Sequence, residues 1–200
     1  MRRIVVTEFV TLDGVMEDPG GSEKFERGGW VFQFHRGPEG DKFKDDELFA
    51  SDAALFGRQT YQGFAKVWPS RSGEFADHMN GMAKYVVSTT LKNPEWKNTT
   101  VIQSDLGQEL SNIRSMPGKD ILVAGSAQLV QTLMDHDLVD ELRLMVFPVV
   151  LGKGKGLFNN TNDKHGLQLV EAKPVGTEGV LTLIYHPQKK MTDPRGDFIK

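Results

Sequence analysis

The chain has 200 residues, 38% hydrophobic and 26% charged, with a formal net charge of −3 and a pI near 6.0. That balance describes one ordinary globular domain with enough apolar material for a core, and it leaves no basic surface for nucleic acid or an anionic membrane. Cysteine is absent, which removes disulfides, thiolate catalysis and Cys-ligated metals together, and the five histidines, His35, His78, His136, His165 and His186, have no ligand spacing, so no metal site is expected.

In chain order, "RRIVVTEFV" reads as a first strand. Its apolar stretch is too short, and too broken by Thr7 and Glu8, for a signal peptide or membrane span, so the expected compartment is the cytoplasm. The polar, glycine-rich "TLDGVMEDPGG" follows as a loop too long and too polar to be buried, able to cover a ligand or simply to be a solvated surface loop. Strands are then expected at "DAALFG", "KYVVST", "TTVIQS" and "DILVAG". Helices are expected at about 41–51, 60–66, 73–81, 105–115 and 127–135, with Gly81 and Pro117-Gly118 as punctuation. Beyond residue 140, "ELRLMVFPVV", "LQLVEAKPV" and "GVLTLIYHP" leave no room for helices and read as antiparallel strands added at one side of the sheet. The expectation is one α/β domain over 1–186, with a mixed, mostly parallel sheet, flanking helices and C-terminal antiparallel strands, and a polar tail over 187–200.

Three strand ends carry anion-friendly groups. After "ILVA" the run turns through Gly125, and Leu129, Val130, Leu133 and Met134 recur at helical spacing, so Ser126 is the expected N-cap. Such a turn aims unpaired N–H groups and the positive end of a helix dipole out of the sheet's carboxyl edge, a place for phosphate. Gly57 ends the second strand and is followed by Arg58, Gln59 and Thr60, a guanidinium fork and a hydroxyl at another helix start. The third strand ends in Ser88, Thr89 and Thr90, three hydroxyls. Each feature alone is equally an ordinary cap or surface turn. Ligands of open α/β sheets bind outside the carboxyl ends of strands, and three such ends together favour a binding crevice.

The segments "TLDGVMEDP", "LFGRQTYQGF", "KYVVSTTL" and the long block from "ILVAGSAQLV" to "LGKGKGLF" together resemble the dihydrofolate reductase-like superfamily, and within it the reductase domain of bacterial riboflavin biosynthesis enzymes. The resemblance spans the chain to about residue 186. It implies a reductase that transfers hydride from NADPH to a flat, pyrimidine- or pterin-like heterocycle. By the same resemblance Gly125, Ser126, Ala127 and Leu129 match a pyrophosphate-binding turn, with Ser126 where the family has a second glycine. Gly57, Arg58 and Thr60 match the other phosphate-contacting turn, Ser88 and Thr89 a hydroxyl pair near the 2′-phosphate, and Asp13, Gly14 and Val15 a mobile loop beside the nicotinamide. The branch also pairs through its sheet. "LRLMVFPVV", too apolar for an exposed edge, points to a homodimer.

The chemistry itself has no assigned residue. Folate reductases hold their pterin with a carboxylate on the helix after the mobile loop; here Glu39, Asp41, Asp45, Asp46 and Glu47 fall in that stretch without a matching motif and read as a solvated face. Trp30, Phe32 and Phe34 are placed either to pack or to stack on a flat substrate, Trp30 and Phe34 being the substrate candidates. Gly152-Lys153-Gly154-Lys155-Gly156 has no Lys-Ser/Thr ending and no following helix, so it reads as an exposed turn rather than a phosphate loop. The expected function is an NADPH-dependent reductase of undefined substrate; the alternatives are a true dihydrofolate reductase and a non-catalytic NADPH-binding module.

Overall fold

Strand follows helix along most of the chain because short apolar runs end at turn residues and give way to segments of helical period. The structure is a computed structural model that describes residues 1–159 and 164–188. Strands β1 (Ile4–Thr11), β2 (Ser51–Gly57), β3 (Ala83–Val87), β4 (Thr99–Ile102), β5 (Asp120–Ala124), β6 (Glu141–Phe147), β7 (Gly166–Val175) and β8 (Val180–Gln188) form one sheet in the order β4-β3-β2-β5-β1-β6-β8-β7. Helices α1 (Gly37–Phe49), α2 (Arg58–Val67), α3 (Glu74–Gly81), α4 (Leu106–Ser115) and α5 (Ala127–Asp135) flank it, with short 3-10 turns at Trp30–Gln33 and Trp68–Ser70. The expected α/β class and mixed, mostly parallel sheet are both present.

Alternation along the strands makes the two faces. Ile4, Val6 and Val10 point with Leu55, Val123 and Leu144 toward Leu110 and Ile113 of α4 and Leu129, Val130 and Leu133 of α5. Val5, Ala54, Phe56 and Leu122 point the other way, toward Leu48 of α1, Tyr61 of α2 and Met79 of α3. A side chain such as Phe56, fully shielded from water, contributes roughly 1.5–3 kcal/mol by burial.

Three expectations need correction. The strand in "ELRLMVFPVV" is antiparallel only to β8; toward β1 it is parallel, in register Val5 with Glu141 through Thr11 with Phe147. The physical reason is α5, which carries the chain over β1 as a crossover connection. β6 is therefore interior, and its apolar composition reflects burial on both faces rather than an edge seeking a partner. Helix α1 begins four residues before the expected start, because Pro38 presets the first helical turn. Finally, β8 runs through Gln188, two residues into the expected tail, and 189–200 lie outside the described residues.

Candidate functional site

β2 and β5 are neighbours; β2 ends on Gly57, which caps α2, and β5 is followed by Gly125, which leads through Ser126 into α5. The two turns interlock. A Cβ on Gly57 would come 2.5 Å from Ser126 Oγ, and a Cβ on Gly125 would come 2.6 Å from Thr60 Cγ2 and 3.0 Å from Thr60 Oγ1. Gly125 also has φ +81°, where a side chain is strained regardless of space. The result is a cradle in which the side chains of Ser126 and Thr60 pack against the backbone of Gly57 and Gly125. Ser126 caps α5, its Oγ accepting the Leu129 N–H at 3.4 Å. Leu129 itself is buried in the core. The N–H groups of Ala127 and Gln128 stay at the open end of the helix without intrahelical partners. Arg58 is exposed beside the cradle, donates to Gln62 Oε1 at 3.2 Å and, among the described residues, pairs with no carboxylate.

The carboxyl ends of β3, β2, β5 and β1 line one edge in consecutive sheet positions, about 14 Å from first to last at ~4.8 Å per strand. At the β3 end, Ser88 Oγ accepts the N–H groups of Thr90 at 3.1 Å and Leu91 at 2.9 Å, so Ser88 is buried as a turn cap with only its hydroxyl proton left to offer. Thr89 is exposed next to it.

At the β1 end, the loop expected to be surface-borne is half buried. Val15, Met16 and Asp18 are shielded, and the loop is stitched to the glycine-lysine segment: Met16 N–H to Lys155 O at 2.9 Å, Leu157 N–H to Gly14 O at 3.0 Å, and a bridge between Val15 and Gly156. That segment is thus a paired strip rather than an exposed turn. Asp13 fastens the same junction, its carboxylate accepting Thr11 Oγ1–H at 2.6 Å, Leu151 N–H at 3.2 Å and Gly152 N–H at 2.7 Å. Burial alone would raise its pKa, but these hydrogen bonds outweigh it and hold the carboxyl below its ordinary range. Gly14 has φ +78° with open space around the position of a Cβ, so backbone conformation, not crowding, requires the glycine.

Trp30 is fully buried, edge-on to Phe147 at 5.4 Å, with its indole N–H donating to Glu17 O at 3.0 Å; packing accounts for it, and no ring face is left for a substrate. Phe34 is half-buried against the same Phe147 at 6.0 Å, and Phe32 is exposed. The acids of α1 divide. Glu39, Asp41, Asp45 and Asp46 are exposed, as a solvated face predicts, but Glu47 is buried, accepting from Thr7 Oγ1 at 2.6 Å and ion-paired with Lys44, while its Oε2 has no partner.

One residue of the site is outside every sequence-based expectation. Glu8 of β1 is buried at the mouth of the cradle, where its Oε1 accepts the Gly125 N–H at 2.9 Å. Burial raises its pKa to about 8, against the Gly125 hydrogen bond and the charge of Lys44 and with the help of Glu47. The signal was an acid inside a strand buried on both faces.

A family model described as the RibD C-terminal domain matches residues 2–181. Two proteins of Bacillus subtilis (strain 168), both described as uncharacterized, are similar along nearly their whole length. YyaP is 30% identical over 190 residues, covering 92% of this chain and 95% of its own, and YwjB is 27% identical over 175 residues, covering 88% and 93%. Among solved structures, a putative riboflavin biosynthesis protein from Shewanella sp. PV-4 superposes with a TM-score of 0.75 at 17% identity over 94% of this chain and 99% of that one. A dihydrofolate reductase from Enterococcus faecalis complexed with NADP(H) gives 0.60 at 14% identity over 94% and 97%. At these identities the structural likeness establishes a shared fold, that of the dihydrofolate reductases.

Proposed function

Because this chain belongs to the RibD C-terminal domain family, we propose that it is an NADPH-dependent reductase delivering hydride to a flat, pyrimidine- or pterin-like heterocycle. The observation that carries the reading is the interlocked pair of glycine turns, where the absence of a β-carbon at Gly57 and Gly125 lets Ser126 and Thr60 close in on the turn backbone at the carboxyl edge of the sheet. This cradle fits a pyrophosphate: Thr60 and Ser126 supply hydroxyls, Ala127 supplies an N–H at a helix start, and Arg58 supplies a guanidinium that, among the described residues, pairs with no carboxylate. In this reading Arg58, Thr89 and the remaining Ser88 proton favour a 2′-phosphate, and the loop at Asp13, Gly14 and Val15 borders the nicotinamide and excludes water. When bound, the cofactor supplies the hydride; the chain binds, orients and shields. Phe34 is the aromatic residue left for contact with the heterocycle, Trp30 being taken up by the core.

A homodimer is part of the proposal, now supported by the outer β7–β8 hairpin, where Leu169, Val170 and Leu181 are exposed, rather than by β6. A cytoplasmic location is proposed as well; no helix among the described residues is long and apolar enough to cross a membrane. The test is calorimetric titration with NADPH and NADH, followed by NADPH oxidation with dihydrofolate and with substituted aminopyrimidines. NADPH binding tighter than NADH, with oxidation by a pyrimidine, is expected. Turnover of dihydrofolate would make it a folate reductase, NADPH binding without oxidation by any acceptor a binding module, and no NADPH binding would remove the reading.

A further inference from the structure

Two acids are buried against β1, one on each face, and they are not equivalent. Glu47 is neutralised by Lys44 and shares a hydrogen bond with Thr7. Glu8, among the described residues, has no ion pair and a single hydrogen bond, from the Gly125 N–H to Oε1; Oε2 has no partner. Its surroundings bring no other charge. The β5–α5 turn from Gly125 to Leu129 carries none, the residue opposite on β6 is Leu144, and only Lys44 and Glu47 act on it across the strand. Its place in the sheet matters too. The β1–β5 pairing ends at Thr7 with Ala124, so from Glu8 onward β1 has a strand neighbour on the β6 side only. Glu8 therefore stands between the glycine cradle and the Asp13 loop, at the head of the gap that β5 leaves as it turns into α5.

We propose that Glu8 is the proton donor of this site, a neutral carboxylic acid whose Oε1 is held by the Gly125 N–H and whose Oε2 hydroxyl donates to the molecule bound in that gap. The inference rests on the function proposed above and supplies the acid that α1 does not. In reduction of a ring C=N bond, a bound reduced nicotinamide would supply the hydride for the new C–H bond. The π electron pair passes to nitrogen, which takes the Glu8 proton, and the Glu8 carboxylate regains a proton from water once the products leave. The neutral form is also the one compatible with an anionic cofactor next door, since a carboxylate there would repel the phosphates. With its pKa raised to about 8, the empty site holds the proton at neutral pH and has lost most of it by about pH 9.

This makes cofactor binding proton-linked. NADPH is titrated into the protein by calorimetry in pairs of buffers of different ionisation enthalpy, at about pH 9 and about pH 7. Wild type is expected to take up close to one proton per NADPH at the higher pH and close to none at the lower. Glu8→Gln is expected to bind NADPH with no uptake at either. Equal uptake in both proteins, or none in wild type at the higher pH, overturns the assignment while leaving the cofactor reading intact; absence of NADPH binding to wild type overturns both. With any acceptor that wild type reduces, Glu8→Gln should slow single-turnover reduction about 10²–10⁴-fold, and retention of full rate refutes the donor role.

Discussion

The energetic consequence of Glu8 can be measured without any ligand. Its carboxyl has an ordinary pKa of 4.5 in the unfolded chain and about 8 in the fold, where burial disfavours the charge. Between those values the folded state holds one more proton than the unfolded state, so the free energy of unfolding falls as pH rises through the window. At 1.36 kcal/mol per pH unit, the full amplitude is about 5 kcal/mol, present below the unfolded pKa and lost by about pH 9. Glu8→Gln keeps the shape and the acceptor for the Gly125 N–H but does not titrate. The two proteins should match near pH 4, and the variant should be the more stable by about 3 kcal/mol near pH 7 and about 5 kcal/mol near pH 9. Urea unfolding followed by tryptophan fluorescence across this range gives the difference directly, because all other titrating groups are common to both and cancel. A difference that stays flat with pH, or that grows toward acid, refutes the claim that Glu8 is held protonated by the fold.

Arg58→Ala should weaken NADPH by about 1–3 kcal/mol and NADH much less, because the guanidinium pairs with no carboxylate among the described residues; equal losses in calorimetry sink its 2′-phosphate role. Trp30→Ala should cost about 3–5 kcal/mol of stability, the loss expected for a fully buried indole, and a thermal midpoint unchanged from wild type would return the residue to the substrate list. Gly14→Val forces a β-branched residue to φ +78° at a cost of about 1–3 kcal/mol, local to the loop. Hydrogen exchange should therefore speed up at the Met16 and Leu157 amides, with NADPH affinity nearly unchanged. Global destabilisation with no local change would contradict this.

Much of this architecture is legible in the residues. Strands up to β5 are short apolar runs, and helices α2 to α5 keep the 3.6-residue period while α1 is polar nearly all round, so most of the order follows from pattern alone. The cradle is legible for the same reason: "FGRQT" and "AGSAQL" are both strand, glycine and helix start. The direction of β6 is not, because a strand buried on both faces reads alike either way, and only the α5 crossover decides it. The loop after β1 reads as polar and exposed because its partner strip, 152–156, is nearly 140 residues away and equally polar; their pairing is made of backbone hydrogen bonds, which composition does not record. Glu47 hides in a run of acids because Lys44 lies three residues before it and both turn toward Thr7, a contact between α1 and β1 with no trace in local sequence.

Glu8 is the instructive case, since its signal is visible and its meaning is not. An acid in an apolar strand shows that the run is no membrane span, and that use exhausts it in one dimension. Three dimensions add that the strand is buried on both faces, that the acid on the far face already has the lysine, and that the neighbouring strand has turned away at Gly125. A buried carboxyl without a cation weakens the fold at neutral pH, and a glutamine of the same shape would not. Packing, hydrogen bonding and charge pairing agree with one another through the core around it. At Glu8 they disagree next to the glycine cradle, and a local rule broken at the edge of a ligand site marks chemistry rather than architecture.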